Sequence, residues 1–230
     1  VMIATESFPN KSFEYWKAVE QYSHVAGDFV WTSLDYLGES GIGRTYEEGK
    51  RTGHMPGWPW HQANCGDIDI CGWKRPQSYY RDVLWGRAAK PFIAVHPLLP
   101  EGMKLEVSSW GWHDVQPGWT WPEAAGKTLQ VDVYFDCDEV ELLLNGHSVG
   151  RQPSTAQQRY IATFNVPYEP GTIKAIARRK GKVVAEETIK TAGPAVKLVM
   201  ESDRNRIDAS RNDLAYITIK ALDADGILVP

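Results

Sequence analysis

The chain opens on a short, mostly apolar run, Val1-Met2-Ile3-Ala4-Thr5, that ends in a carboxylate, Glu6. A run of this kind reads as a strand buried on both faces. The pattern then changes. Phe13, Trp16, Val19 and Tyr22 recur every three residues, which predicts a helix over 13–22 with Ser12 as its cap. A second apolar segment, Asp28-Phe29-Val30-Trp31-Thr32, predicts the next strand. Strand, helix, strand is one β/α unit, with Glu6 at the end of the first strand and Trp31 at the end of the second. Residues 38–70 keep no period and are rich in Gly, Pro and Trp. Irregular stretches of that length in compact domains are often functional. Arg75-Pro76 then opens a helix over 77–85, with proline near its first turn and Gly86 to end it.

After Pro91 the texture becomes β. Apolar and polar positions alternate in Leu105–Val107, Leu129–Tyr134, Val140–Leu144, Tyr160–Val166, Thr172–Arg178 and Val183–Lys190. Asn145-Gly146 is a strong hairpin turn, and Lys180-Gly181-Lys182 is another. About seven short strands in about a hundred residues predict a β-sandwich over 93–193. Ala195–Glu201 and Ala215–Ala221 begin a further unit, with a turn at Asp223-Ala224-Asp225-Gly226. Two or three strands are too few to close a sandwich, so 194–230 reads as a truncated domain.

Composition narrows the chemistry. The net charge of −4 over 230 residues offers no basic field for a phosphate backbone, which excludes nucleic acid as a partner. No apolar run reaches the roughly 18 residues of a membrane span. Cys65, Cys71 and Cys137 make no disulfide framework, although Cys65 and Cys71 can either pair locally or stand as thiols. They lack zinc spacing, and the acidic groups Asp136/Asp138/Glu139 and Asp203/Asp208/Asp213 read as solvated turns, so no metal is assigned. No glycine-rich phosphate loop is present. The ten tryptophans, many beside Gly and Pro, favour an aromatic-lined groove over a helical core.

Four patches, in order and over essentially the whole chain, resemble glycoside hydrolase family 2, and within it the β-galactosidase-like proteins of gut Bacteroidetes. They are Ile3-Ala4-Thr5-Glu6-Ser7; the stretch from Gly27 to Glu39; Gly66-Asp67-Ile68-Asp69-Ile70-Cys71-Gly72-Trp73-Lys74 with the helix that follows; and Val140–Gly146. The resemblance implies a mostly β chain. Residues 1–92 would be the C-terminal remnant of a (β/α)8 barrel, 93–193 an immunoglobulin-like sandwich, and 194–230 the truncated start of another.

It also implies a retaining glycosidase that hydrolyses terminal β-galactosides and needs no cofactor. Such an enzyme uses two carboxyl groups about 5 Å apart, one as nucleophile and one as acid and base. Glu6 matches the family's nucleophile at the end of the seventh barrel strand. The acid/base glutamate would lie upstream of residue 1, so the chain alone is expected to be inactive. Trp31 would form the floor or wall of the first sugar subsite, or cap the barrel interior, or both. Asp35 and Glu39 would accept hydrogen bonds from sugar hydroxyls, or else be solvated, or brace Arg44. Trp58 and Trp60, fixed by Pro59, would frame a further subsite or plug the loop. Asp67, Asp69 and Lys74 would brace the loop. Relatives of this type imply a periplasmic or secreted location, and strand edges left unpaired would let copies associate. A reading of another class is a non-catalytic carbohydrate-binding or spacer module.

Overall fold

The computed structural model describes residues 1–50, 53, 55, 56, 58 and 60–230. Strand β1 (Met2–Ser7) pairs in parallel with β2 (Val25–Val30), and helix α1 (Ser12–Gln21) is the crossover. The predicted β/α unit is therefore present. Two details differ. Ser12 is the first residue of α1, and no side chain caps that end. The second strand starts earlier than predicted and stops at Val30, so Trp31 belongs to the turn that follows. Val30 lies opposite Ser7, and the buried Ser7 hydroxyl donates to the Phe29 carbonyl at 3.2 Å. Glu6 and Trp31 thus stand at the C-terminal ends of neighbouring parallel strands.

The irregular stretch after β2 is held by tertiary contacts. Its strand β3 (Thr45–Glu47) pairs antiparallel with β5 (Leu105–Val107), which lies beyond β4 (Phe92–Val95) in sequence. Bridges at Leu34–Ile68 and Leu37–Gln62 fold the stretch on itself. Helix α2 (Pro76–Leu84) follows, with Pro76 in the first turn, where its missing N–H costs nothing, and Gly86 at φ +65° past its end.

The sandwich has seven strands in two antiparallel sheets. One is β4–β6–β9, with β6 (Thr128–Tyr134) between β4 and β9 (Ile161–Pro167). The other runs β11–β10–β7–β8, from β7 (Cys137–Leu144), β8 (His147–Ser154), β10 (Thr172–Arg179) and β11 (Lys182–Lys190). Alternate residues of β6 and β9, such as Leu129, Val131, Val133 and Val166, share one buried core with Val140, Leu142, Ile173 and Ala175 of the second sheet. Asn145 and Gly146 both take positive φ, 51° and 83°, as a two-residue hairpin turn requires.

The outer face of the three-stranded sheet is covered too. Ala94 and Tyr134 pack with Tyr80, Val83 and Leu84 of α2 and with Trp112 and Val115, and Phe13 and Trp16 of α1 join the same cluster. The last unit is a ribbon of β12 (Lys197–Ser202) and β13 (Ile217–Leu222) that leaves Leu198, Met200, Ile217 and Ile219 exposed. Asp223 forms the predicted turn, accepting from the N–H groups of Asp225 and Ile227 and from Gly193 in the linker. The chain is mostly β, and its described strands close no barrel.

Cys65 is buried and Cys71 exposed, and both are free thiols, so they do not pair. Among the described residues no helix is long and apolar enough to cross a membrane, and no cluster of three or more His, Cys, Asp or Glu is arranged to hold a metal. The acidic turns have protein partners instead. Asp136 pairs with Arg179, Asp138 accepts from the Lys180 N–H, and Asp213 pairs with Arg204.

Candidate active site

Glu6 is exposed at the end of β1. Trp31, half-buried at the neighbouring strand end, is fixed from several sides. Its backbone N–H reaches the Ser7 carbonyl at 3.4 Å, and its indole N–H donates to the Tyr36 hydroxyl at 3.3 Å. The Tyr36 ring meets it edge-on at 6.1 Å, and Trp110 lies tilted at 6.3 Å. Beneath them are Ile42, Ala63 and Cys65. Trp31 therefore closes a small core next to the end of β1.

Glu39 serves this wall. The Tyr36 hydroxyl donates to its carboxylate, so Glu39, Tyr36 and Trp31 form a chain of hydrogen bonds. Burial, reinforced by the bond to Glu39, raises the Tyr36 hydroxyl well above the ordinary tyrosine value and keeps it a donor.

Asp35 faces the other way. Its side chain is fully buried, accepts the Cys65 N–H at 3.3 Å and pairs with Arg75, not with Arg44. Arg75 in turn donates to the Asn64 side-chain oxygen at 2.7 Å, and the Asn64 amide donates to the Gly43 carbonyl. Gly66 makes this possible, because a Cβ there would lie 2.4 Å from the Asp35 nitrogen. Asp35 thus ties the loop together from below, its carboxylate wholly removed from solvent.

Asp67 is buried, with the Arg81 Nε 2.7 Å from its carboxylate. Its backbone bonds to Thr32 and Arg75 tie the turn after Trp31 to the start of α2. Burial pushes its carboxyl up to about 6, against the opposing pull of Arg81. Asp69 caps a local turn, accepting from the N–H groups of Cys71 and Trp73. Lys74 pairs with Asp82 and lies over the Tyr79 ring. All three are held by partners within the chain.

Trp60 packs against the backbone of Gly41, where a Cβ would come within 2.8 Å of its ring. Trp58 is 82% exposed, touching His61 edge-on. Of this pair, Trp60 is packed against the loop backbone and Trp58 keeps an exposed face. Pro59 lies outside the described residues.

Two members of the site have no signal in the local sequence. Tyr36 is one aromatic in a loop, and Trp110 is one of ten tryptophans. Long-range contacts, among them the pairing of β3 with β5, bring Trp110 to Trp31. The assembled arrangement is an exposed carboxylate beside a braced aromatic wall. That combination suits apolar contact with the C–H face of a sugar and attack on a carbon held there.

Residues 126–185, within the sandwich, match a family described as a domain of unknown function, DUF4982. A β-galactosidase of Bacteroides ovatus, BoGH2A, is 30% identical over 222 residues, which are 96% of this chain and 22% of that protein. A Formosa agariphila protein provisionally named a β-glucuronidase is 31% identical over 94% of this chain and 18% of its own length. The solved structure of a glycosyl hydrolase family 2 member from Bacteroides cellulosilyticus is 40% identical and superposes with a TM-score of 0.86, covering 99% of this chain and 29% of that one. The chain spans about a fifth of the length of the curated relatives it matches. It belongs to glycoside hydrolase family 2, and corresponds to a segment of its members' length.

Proposed function

We propose that the protein carrying this chain is a retaining exo-glycosidase acting on terminal β-galactosides, with Glu6 as its nucleophile. One observation carries the reading. Glu6 stands at the C-terminal end of a parallel strand, next to the braced Trp31 at the end of the following one, in a chain related throughout to family 2 glycosidases. Catalytic groups of (β/α)8 enzymes sit at such strand ends. In this reading residues 1–92 are the last part of a barrel, 93–193 an immunoglobulin-like sandwich and 194–230 part of a further domain. The protein is periplasmic or secreted, and copies can associate through exposed strand edges.

The Glu6 carboxylate attacks the anomeric carbon as the bond to the leaving oxygen breaks, and a glycosyl ester forms. A second carboxyl group, on a barrel strand outside these residues, protonates the leaving oxygen. It then takes a proton from water, which attacks the same carbon, restores the configuration and frees Glu6. Trp31 holds the sugar face and excludes water. The 230-residue chain by itself lacks the acid and base and is inactive toward ordinary glycosides.

The test is intact mass after incubation with a 2-deoxy-2-fluoro-β-galactosyl donor bearing an activated leaving group, on the full-length protein and on this chain. A single adduct mapped to Glu6, and lost in Glu6→Gln, supports the reading. An adduct elsewhere, or none on the full-length protein, overturns it. The named β-glucuronidase relative makes a glucuronyl donor the comparison to run beside it. An adduct only with that donor changes the sugar and keeps the nucleophile.

A further inference from the structure

The wall beside Glu6 comes from two distant parts of the chain. Trp31 and Tyr36 belong to the turn after β2, whereas Trp110 comes from the segment between β5 and β6, beyond the first sandwich strand. Several contacts hold that segment at the strand ends. The Ser108 N–H donates to the Arg44 carbonyl at 3.0 Å, and its hydroxyl to the Ile42 carbonyl. The Asn10 side chain, from the connection after β1, donates to the Ser108 carbonyl at 3.3 Å. Gly111 passes so close to the loop after β2 that a Cβ there would lie 2.7 Å from the Gly43 oxygen. The turn 108–111 is therefore clamped to both loops that follow β1 and β2. Within it, the Trp110 ring stands edge-on to Phe8 at 4.4 Å and tilted against Trp31 at 6.3 Å.

Trp31 has its indole N–H fixed by Tyr36 and its ring flanked by Trp110. An aromatic platform contributes through many short-range contacts, each lost over a gap of less than an ångström, so its angle decides what it contributes. Fixing that angle beforehand avoids the cost of ordering the ring when ligand arrives. We propose that Trp110 is a positioning residue of the glycosidase site: it sets the Trp31 indole at the angle at which it receives the sugar. A segment lying after the first sandwich strand then completes the site. The inference rests on the reading of Trp31 as the sugar platform.

The experiment uses the full-length protein and whichever activated aryl glycoside it hydrolyses, β-galactoside or β-glucuronide. Wild type, Trp110→Ala, Trp110→Phe and Glu6→Gln are compared, with competent sites counted by the 2-fluoro donor of the same sugar. Trp110→Ala is expected to raise KM roughly three- to tenfold, the effect of losing one aromatic pair. Trp110→Phe, which keeps a ring, should recover most of that. A merely structural role would lower the melting temperature and the fraction of competent sites while KM per competent site stayed at the wild-type value, and that result overturns the inference. Should the alanine variant not fold, Trp110→Leu, which keeps bulk without a ring, takes its place under the same criteria. If the wild type hydrolyses neither glycoside, or Glu6→Gln retains full activity, the glycosidase reading itself fails and this inference with it. Glu6→Gln inactive with KM unmoved in the Trp110 variants sinks this inference alone.

Discussion

The Asp35 carboxylate and the Arg75 guanidinium stand 3.4 Å apart beneath the strand ends, the Asp35 side chain wholly removed from water. They join the turn after β2 to the head of α2, forty residues on. Removing one partner of such a pair strands the other charge. Asp35→Ala should cost about 3 kcal/mol, the low end of the range for buried pairs because Arg75 keeps some solvent. Urea unfolding checks this, and Asp35→Ala with Arg75→Met should recover part of the loss. A change within 0.5 kcal/mol, about the size of an ordinary surface substitution, would remove Asp35 from the frame of the site.

Gly66 should tolerate no side chain. Its added Cβ would meet the Asp35 backbone at 2.4 and 2.6 Å, atoms that cannot rotate away. Gly66→Ala should therefore destabilise by about 1–3 kcal/mol. Gly118, with nothing within 4 Å of its added Cβ and no positive φ, is the comparison, and Gly118→Ala should leave the melting temperature nearly unchanged.

Asp67 gives a pH signature. Its carboxyl sits at about 6 in the folded chain against 3.8 as its ordinary value, because burial outweighs Arg81. Between these values the folded state holds a proton that the unfolded state has released, so stability attributable to Asp67 falls as pH rises from about 4 to 6 and is flat above. The swing is on the order of 2–3 kcal/mol. Denaturant midpoints measured from pH 4 to 7 should show wild type losing stability relative to Asp67→Asn across that window. Parallel curves would place the Asp67 carboxyl at its ordinary value.

Trp58 and Trp60 should part company. Trp60→Ala opens a space over Gly41 and should lower stability, by about 3 kcal/mol or less since the ring is only half-buried. Trp58→Ala should leave stability unchanged. On the proposed function, the same variant of the full-length protein should raise KM for an oligosaccharide and not for an aryl monosaccharide. Equal effects on both substrates would deny Trp58 a subsite of its own.

What the sequence makes legible depends on whether the cause is local. The first β/α unit reads directly, because an apolar run and a three-residue spacing carry their own periods. So does the hairpin at Asn145-Gly146, since few other residues accept positive φ at both positions. Strand β8 does not read as one: it contains Gly150 and Pro153 and is imposed by pairing with β7. Strand β3 is likewise set by β5. The positions of Glu6 and Trp31 near strand ends can be read because the strands can. The burial of Asp35 cannot, for it depends on Gly66 approaching from thirty-one residues away, and neither can the arrival of Trp110.

The cluster formed by Phe13, Trp16, Tyr80, Leu84, Ala94 and Tyr134 draws its members from either side of the change in texture at residue 92. A cut there would expose indole and phenol rings on both products. Gene shuffling that respected only the sequence boundary would yield two sticky halves. Chimeras should therefore keep both sides of residue 92 in one exchanged segment, and the linker near Gly193, crossed by the contact from Asp223 to its N–H, is the place to graft. By the same logic the first two segments should diverge in step, each compensating changes in the other.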